Sequence, residues 1–101
     1  MKKRPEYLKA LAERQARESW DYADRFCALL PEVMHGLREE EHLSMYELQL
    51  RTQVQRETTS KVESKMQLPS LHVLARIAYV LAGTVEGLAH QVEVARREAH
   101  S

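Results

Sequence analysis

Apolar residues recur along most of this chain at spacings of three and four, the period of an amphipathic helix. Over residues 5–30 the series is Leu8, Leu11, Ala12, Ala16, Ala23, Phe26, Cys27 and Leu30, with Trp20 and Tyr22 close by. Pro5 suits a first helical position. The spacing predicts one long helix or, if Ser19 caps a second segment, two short ones. Unbroken, 26 residues would make a rod of about 39 Å. Pro31 lacks a backbone N–H and starts helices better than it continues them, so the next helix is expected over 32–41, with Val33, Met34 and Leu37 inward. Ser44-x-x-Glu47 is a capping-box pattern and opens a helix reaching about Arg51. A turn at Thr52-Gln53-Val54 leads to a helix over 55–63 and a loop over 65–69. Ser70 caps a helix through Leu81, with Leu71, Leu74, Ile77, Ala78 and Leu81 expected inward. Gly83 ends it, and Thr84 caps a last helix with Leu88 and Val92, running toward residue 98. The fold class is all-α.

Composition supports that reading. Of the 101 residues 44% are hydrophobic, enough for a modest core, and Gly and Pro number only three each. The apolar runs are too short to span a membrane, and the start carries no apolar stretch of signal-peptide length. A single cysteine, Cys27, cannot form an internal disulfide and fits a reducing compartment, so a cytoplasmic location without membrane association is expected.

Charge complicates a nucleic-acid reading. Fifteen basic residues balance fifteen acidic ones, whereas phosphate neutralisation normally calls for a basic excess. The acidic run Glu39-Glu40-Glu41 precedes the most polar helix, over 55–63, and the wider segment 54–67 carries three basic and two acidic groups. Any positive face must therefore come from placement.

Three blocks in the centre carry a pattern: Leu43-Ser44-x-x-Glu47-Leu48, then Val54-x-Arg56-x-Thr58-x-Ser60-Lys61-Val62-Glu63, then Pro69-Ser70-Leu71-x-x-Leu74-x-Arg76-Ile77-Ala78-x-x-Leu81. In these the sequence resembles the lambda-repressor-like (Cro/CI, xenobiotic-response-element) helix-turn-helix family, without a gap, over about residues 32–90. The resemblance implies a helix-turn-helix DNA-binding domain over 31–92, an N-terminal helical extension over 1–30, and the end of a C-terminal helix with a tail over 93–101. It further implies that the second helix of the pair lies in the major groove. Base-reading residues would then be Gln55, Arg56, Glu57, Ser60 and Lys61. Arg56 can donate two hydrogen bonds to guanine, and Glu57 can accept one from cytosine. Phosphates would be held by Ser44, Lys65, Gln67 and Ser70, with backbone amides at helix starts. Leu48, Val54 and Val62 would pack between the two helices. Four positions depart from the pattern: Gln49 replaces the usual small residue at the closest helix contact, Gln53 the usual turn glycine, and Thr52 and Thr59 the usual aliphatics.

The remaining chemistry is sparse. His35, His42, His72, His90 and His100 show no metal-ligand spacing, Cys27 falls on an apolar stripe, and no catalytic constellation or glycine-rich phosphate loop is present. Neither an enzyme, a cofactor nor a metal is expected. The N-terminal stripe either folds back on its own domain or pairs with a second copy through Leu8, Leu11, Trp20, Tyr22 and Phe26. The first functional expectation is a sequence-specific transcriptional regulator, a repressor by family habit, binding double-stranded DNA as a homodimer on half-sites roughly 34 Å apart. The second is a protein-interaction module, antitoxin-like, that keeps the fold as a scaffold for a protein partner.

Overall fold

A computed structural model describes residues 5–99, all helical apart from short connections: α1 (Glu6–Glu40), α2 (Met45–Thr52), α3 (Arg56–Glu63), α4 (Leu71–Ala82) and α5 (Val85–Glu98). The outermost residues of the N-terminal extension and of the C-terminal tail, including His100, lie outside the described residues. The caps fall where the sequence places them. Ser44 accepts the Glu47 amide at 3.0 Å while the Glu47 carboxylate accepts the Ser44 amide at 3.3 Å. Ser70 and Thr84 accept the amides of Val73 and Gly87. These hydroxyl and carboxylate groups satisfy donors that a helix start leaves orphaned.

The expected break at Pro31 does not occur. α1 runs for 35 residues with Pro31 inside it, so a boundary drawn at residue 30 falls within one helix. An internal proline forfeits a backbone hydrogen bond and costs roughly 3 kcal/mol. Here Leu30 is 4% exposed, Met34 is fully buried, and the proline ring itself is buried. Burial of large side chains on both sides, about 1.5–3 kcal/mol each, outweighs the missing bond. Nor does Ser19 start a segment: its hydroxyl donates to the Ala16 carbonyl at 2.8 Å, as a serine inside a helix does. The helix ends with His42 at φ 55°, where the Leu43 amide reaches back to the Arg38 carbonyl, a Schellman closure.

The core gathers Leu30 and Met34 of α1, Leu43, Leu48 of α2, Val54, Val62 of α3, Ile77, Ala78 and Leu81 of α4, and Leu88 and Val92 of α5. α1 packs against α3, α4 and α5, and α2 packs against α3 and α4. α4 and α5 meet at 81°. Gly87 makes that corner possible, because a Cβ there would stand 2.6 Å from the Ala82 carbonyl oxygen. No single described helix is long and apolar enough to cross a membrane. The molecule measures 58 × 33 × 24 Å. Its long dimension is α1, whose described residues up to 25 are all exposed, although α5 already touches it at Tyr22.

Candidate nucleic-acid interface

The site begins with the turn between α2 and α3. Gln53, in place of the expected glycine, adopts the left-handed conformation at φ 60°, and its side-chain amide donates to the Leu50 carbonyl. Glutamine accepts a backbone geometry there that glycine reaches with less strain. Thr52 closes the inner side of the turn. Its buried hydroxyl donates to the Leu48 carbonyl at 2.7 Å and accepts the Val54 amide at 3.1 Å. Arg76, reaching across from α4, donates to the Thr52 carbonyl at 3.2 Å and the Gln53 carbonyl at 3.4 Å. The last carbonyls of α2 are thus capped from another helix.

Gln49 resolves the packing question its sequence position raises. It is half-buried, and its side-chain oxygen accepts the Arg56 amide at 3.0 Å. The N-cap residue Gln55 makes no side-chain cap of its own. A side chain of α2 therefore caps α3, and the amide that would be costly to bury gains a partner.

At its far end α3 is clamped to α1. Glu63 is 7% exposed and accepts from Arg38 at both oxygens, at 2.9 and 3.0 Å. Arg38 also donates to the Leu43 carbonyl at 2.8 Å, and His35 lies 2.8 Å from Glu63 and 2.9 Å from Glu39. The bidentate geometry is the strong form of this pair. The Glu63 hydrogen bond raises the Arg38 pKa further above its ordinary value. Arg38, Gln49, Glu63 and Arg76 were given no role from sequence. A signal for two of them exists: Arg38 stands four residues after Met34, and Glu63 next to Val62. A charge at a buried helical position requires an opposite charge elsewhere.

Between these fixed ends α3 presents its polar face. Arg56, Glu57, Ser60 and Lys61 are exposed and, with Met45, line one open concavity of about 400 Å³. Gln55 is exposed at the start of the same helix. Four of the five residues expected to read bases thus share a single surface. Among the described residues, neither Arg56 nor Lys61 is ion-paired, whereas the acidic Glu63 beside them is neutralised by Arg38. The residues expected to hold phosphate are all exposed. Ser44 and Ser70 use their oxygens as helix caps, which leaves each hydroxyl hydrogen free to donate. Lys65, at φ 65°, places its ammonium 2.9 Å from Glu32, so binding an anion there means leaving an exposed ion pair of small worth. The described residues contain no cluster of three or more metal-ligating groups.

The residues expected to dimerise divide into two groups. Leu8, Leu11 and Trp20 are exposed at 39, 36 and 72%. Tyr22 and Phe26 are engaged within the chain. Their rings stack at 6.3 Å, the Tyr22 hydroxyl donates to Glu93 of α5, and the Arg96 guanidinium lies 5.3 Å from the Tyr22 ring centre. Hydrogen bonds from Arg96 and Tyr22 hold the Glu93 carboxyl below the usual carboxylate range, and the bond to Glu93 raises the Tyr22 phenol. Comparison with protein-family models, curated proteins and solved structures returned no match.

Proposed function

We propose that this chain is a sequence-specific DNA-binding transcriptional regulator of the lambda-repressor-like helix-turn-helix type, acting as a homodimeric repressor on an operator. The observation that carries this reading is the exposed polar face of α3. Arg56, Glu57, Ser60 and Lys61 converge there, exposed, on a helix whose two ends are anchored by Gln49 and by the Arg38–Glu63 pair. Specific base contact needs side chains held in register against a rigid duplex. On this reading α3 enters the major groove, Ser44, Lys65, Gln67 and Ser70 touch the flanking phosphates, and α1 brings two copies together.

The test is selection of bound duplexes from a random pool by the full-length protein at near-physiological salt. Enrichment of an inverted repeat is expected, with affinity that falls as salt rises. A folded protein that enriches no sequence would refute the reading. A second reading, an antitoxin-like protein-interaction module, is favoured by a separate observation: Met66 and Leu68 in the loop after α3, and Leu71, which opens α4 and faces outward although its spacing predicts an inward position, are 65–85% exposed on a chain of zero net charge. A stable complex with a protein partner, together with no sequence enrichment, would establish it instead.

A further inference from the structure

Among the described residues three arginines are half-buried: Arg38, Arg76 and Arg96. Arg38 meets Glu63 and Arg96 meets Glu93, each at 2.9 Å. Arg76 meets no carboxylate. One nitrogen of its guanidinium donates to the Thr52 and Gln53 carbonyls, and its buried Nε has no partner. A charge drawn partly out of water without an opposite charge costs free energy. The carbonyl end of α2 offsets part of that cost. The rest stands uncompensated within the chain. Arg76 also lines an open concavity of about 310 Å³ between the end of α2 and the outer face of α4, together with Arg51, His72, Ala75, Tyr79 and Val80. Arg51 is exposed and has no ion pair among the described residues. No acidic side chain lines the concavity. A chain of zero net charge thus sets two guanidiniums without carboxylates over mostly apolar walls. The Tyr79 ring is 74% exposed there, and the residues four and eight positions before it, Ala75 and Leu71, extend an exposed apolar strip along α4.

We propose that this groove docks an acidic segment of a partner protein, in which two carboxylates meet Arg51 and Arg76 while a neighbouring apolar side chain packs on Ala75, Tyr79 and Val80. Charge complementarity selects the acidic groups, and the walls select the apolar one. Arginine and tyrosine together are the side chains that most often carry the binding energy of a protein interface. Other occupants fit less well. Small-molecule sites enclose most of the ligand, and this groove is open. DNA phosphates would answer the two guanidiniums but leave the strip from Leu71 to Tyr79 without an apolar partner. A second copy offers the acidic run Glu39-Glu40-Glu41, yet the apolar residues flanking that run, Leu37 and Leu43, are packed in their own core. The inference does not rest on the DNA reading, because no residue lines both this groove and the face of α3.

The experiment is selection of displayed random peptides on the full-length protein without DNA, followed by calorimetric titration of an enriched peptide. The enriched sequences are expected to carry paired acidic residues beside an apolar one. Arg51→Glu and Tyr79→Ala, both at exposed positions, are each expected to weaken that peptide about tenfold or more. Arg17→Glu, the same charge reversal on the exposed half of α1, should leave binding unchanged. Enrichment of neutral or basic peptides, no enrichment at all, or binding that survives both groove substitutions would overturn the proposal. So would a change in sedimentation on Tyr79→Ala without peptide, which would assign the groove to a second copy. Loss of operator affinity on Tyr79→Ala would assign it to DNA and overturn the proposal as well. A protein that binds acidic peptides here but selects no DNA sequence would refute the DNA reading alone. One that selects a DNA sequence but ignores acidic peptides would refute this inference alone.

Discussion

Two buried threonines near the α2–α3 turn predict opposite consequences for the same substitution. Thr52 is 4% exposed and Thr59 is 1% exposed. The Thr52 hydroxyl makes two hydrogen bonds, to the Leu48 carbonyl and from the Val54 amide. The Thr59 hydroxyl is buried without a partner. Replacing Thr by Val keeps the branched shape and nearly the same helix propensity, so the change isolates the hydroxyl. At Thr52 the loss strands the buried Val54 amide, at a cost of about 2 kcal/mol, the middle of the range for an unsatisfied buried donor. At Thr59 the substitution removes a desolvated group that gains nothing in return, and stabilises by about 1 kcal/mol. For a body of this size 1 kcal/mol moves Tm by roughly 4–8 °C. Thr59→Val should therefore raise Tm by roughly 4–8 °C, and Thr52→Val should lower it by roughly 8–16 °C. Thermal unfolding followed by circular dichroism, with chemical denaturation for free energies, reads both. If Thr59→Val destabilises as much as Thr52→Val, the hydroxyl accounting is wrong.

Four further outcomes are expected. Glu63→Gln leaves Arg38 buried without its counter-charge and should cost about 2–4 kcal/mol in urea unfolding, part of it recovered when Arg38→Met is added. Gln49→Ala removes the cap on α3 and should cost about 1 kcal/mol, with hydrogen exchange of the Arg56 amide speeding more than that of the α4 core; uniform exchange rates would speak against the cap. Arg56→Ala should weaken binding to the selected operator by about 1–3 kcal/mol and relax preference at one base pair; unchanged specificity would remove Arg56 from the reading set. The Glu93 carboxyl has a depressed pKa, so its contribution is present above its unfolded value, near 4.5, and is lost as pH falls through the lower folded value. Tyr22 has a raised pKa, so its contribution is present below 10.0 and is lost as pH rises through the higher folded value. Tyr22→Phe should accordingly narrow the difference in Tm between pH 7 and pH 3, and an unchanged difference would show that this contact does not couple α5 to α1.

The helices after residue 43 were legible because their signals are local: Ser44, Ser70 and Thr84 cap their own next turns, and apolar spacing of three and four marks each buried face. The exposed residues Arg56, Glu57, Ser60 and Lys61 were legible as a group for the same reason, since one short helix presents them together. Pro31 misled because its local cost is real and only packing on both sides of it exceeds that cost. The roles of Gln49, Arg38, Glu63 and Arg76 depend on partners 7, 25 and 24 positions away along the chain, which no local pattern carries. Thr52 and Thr59 look alike in the sequence, yet one hydroxyl finds two partners and the other none, because the answer depends on where the turn places a neighbouring amide. Element type and polar faces thus follow from the sequence itself, through short-range hydrogen bonding and periodicity. Helix continuity, the clamps on α3 and the worth of each buried polar group were decided only by tertiary structure, where distant residues meet and water is excluded.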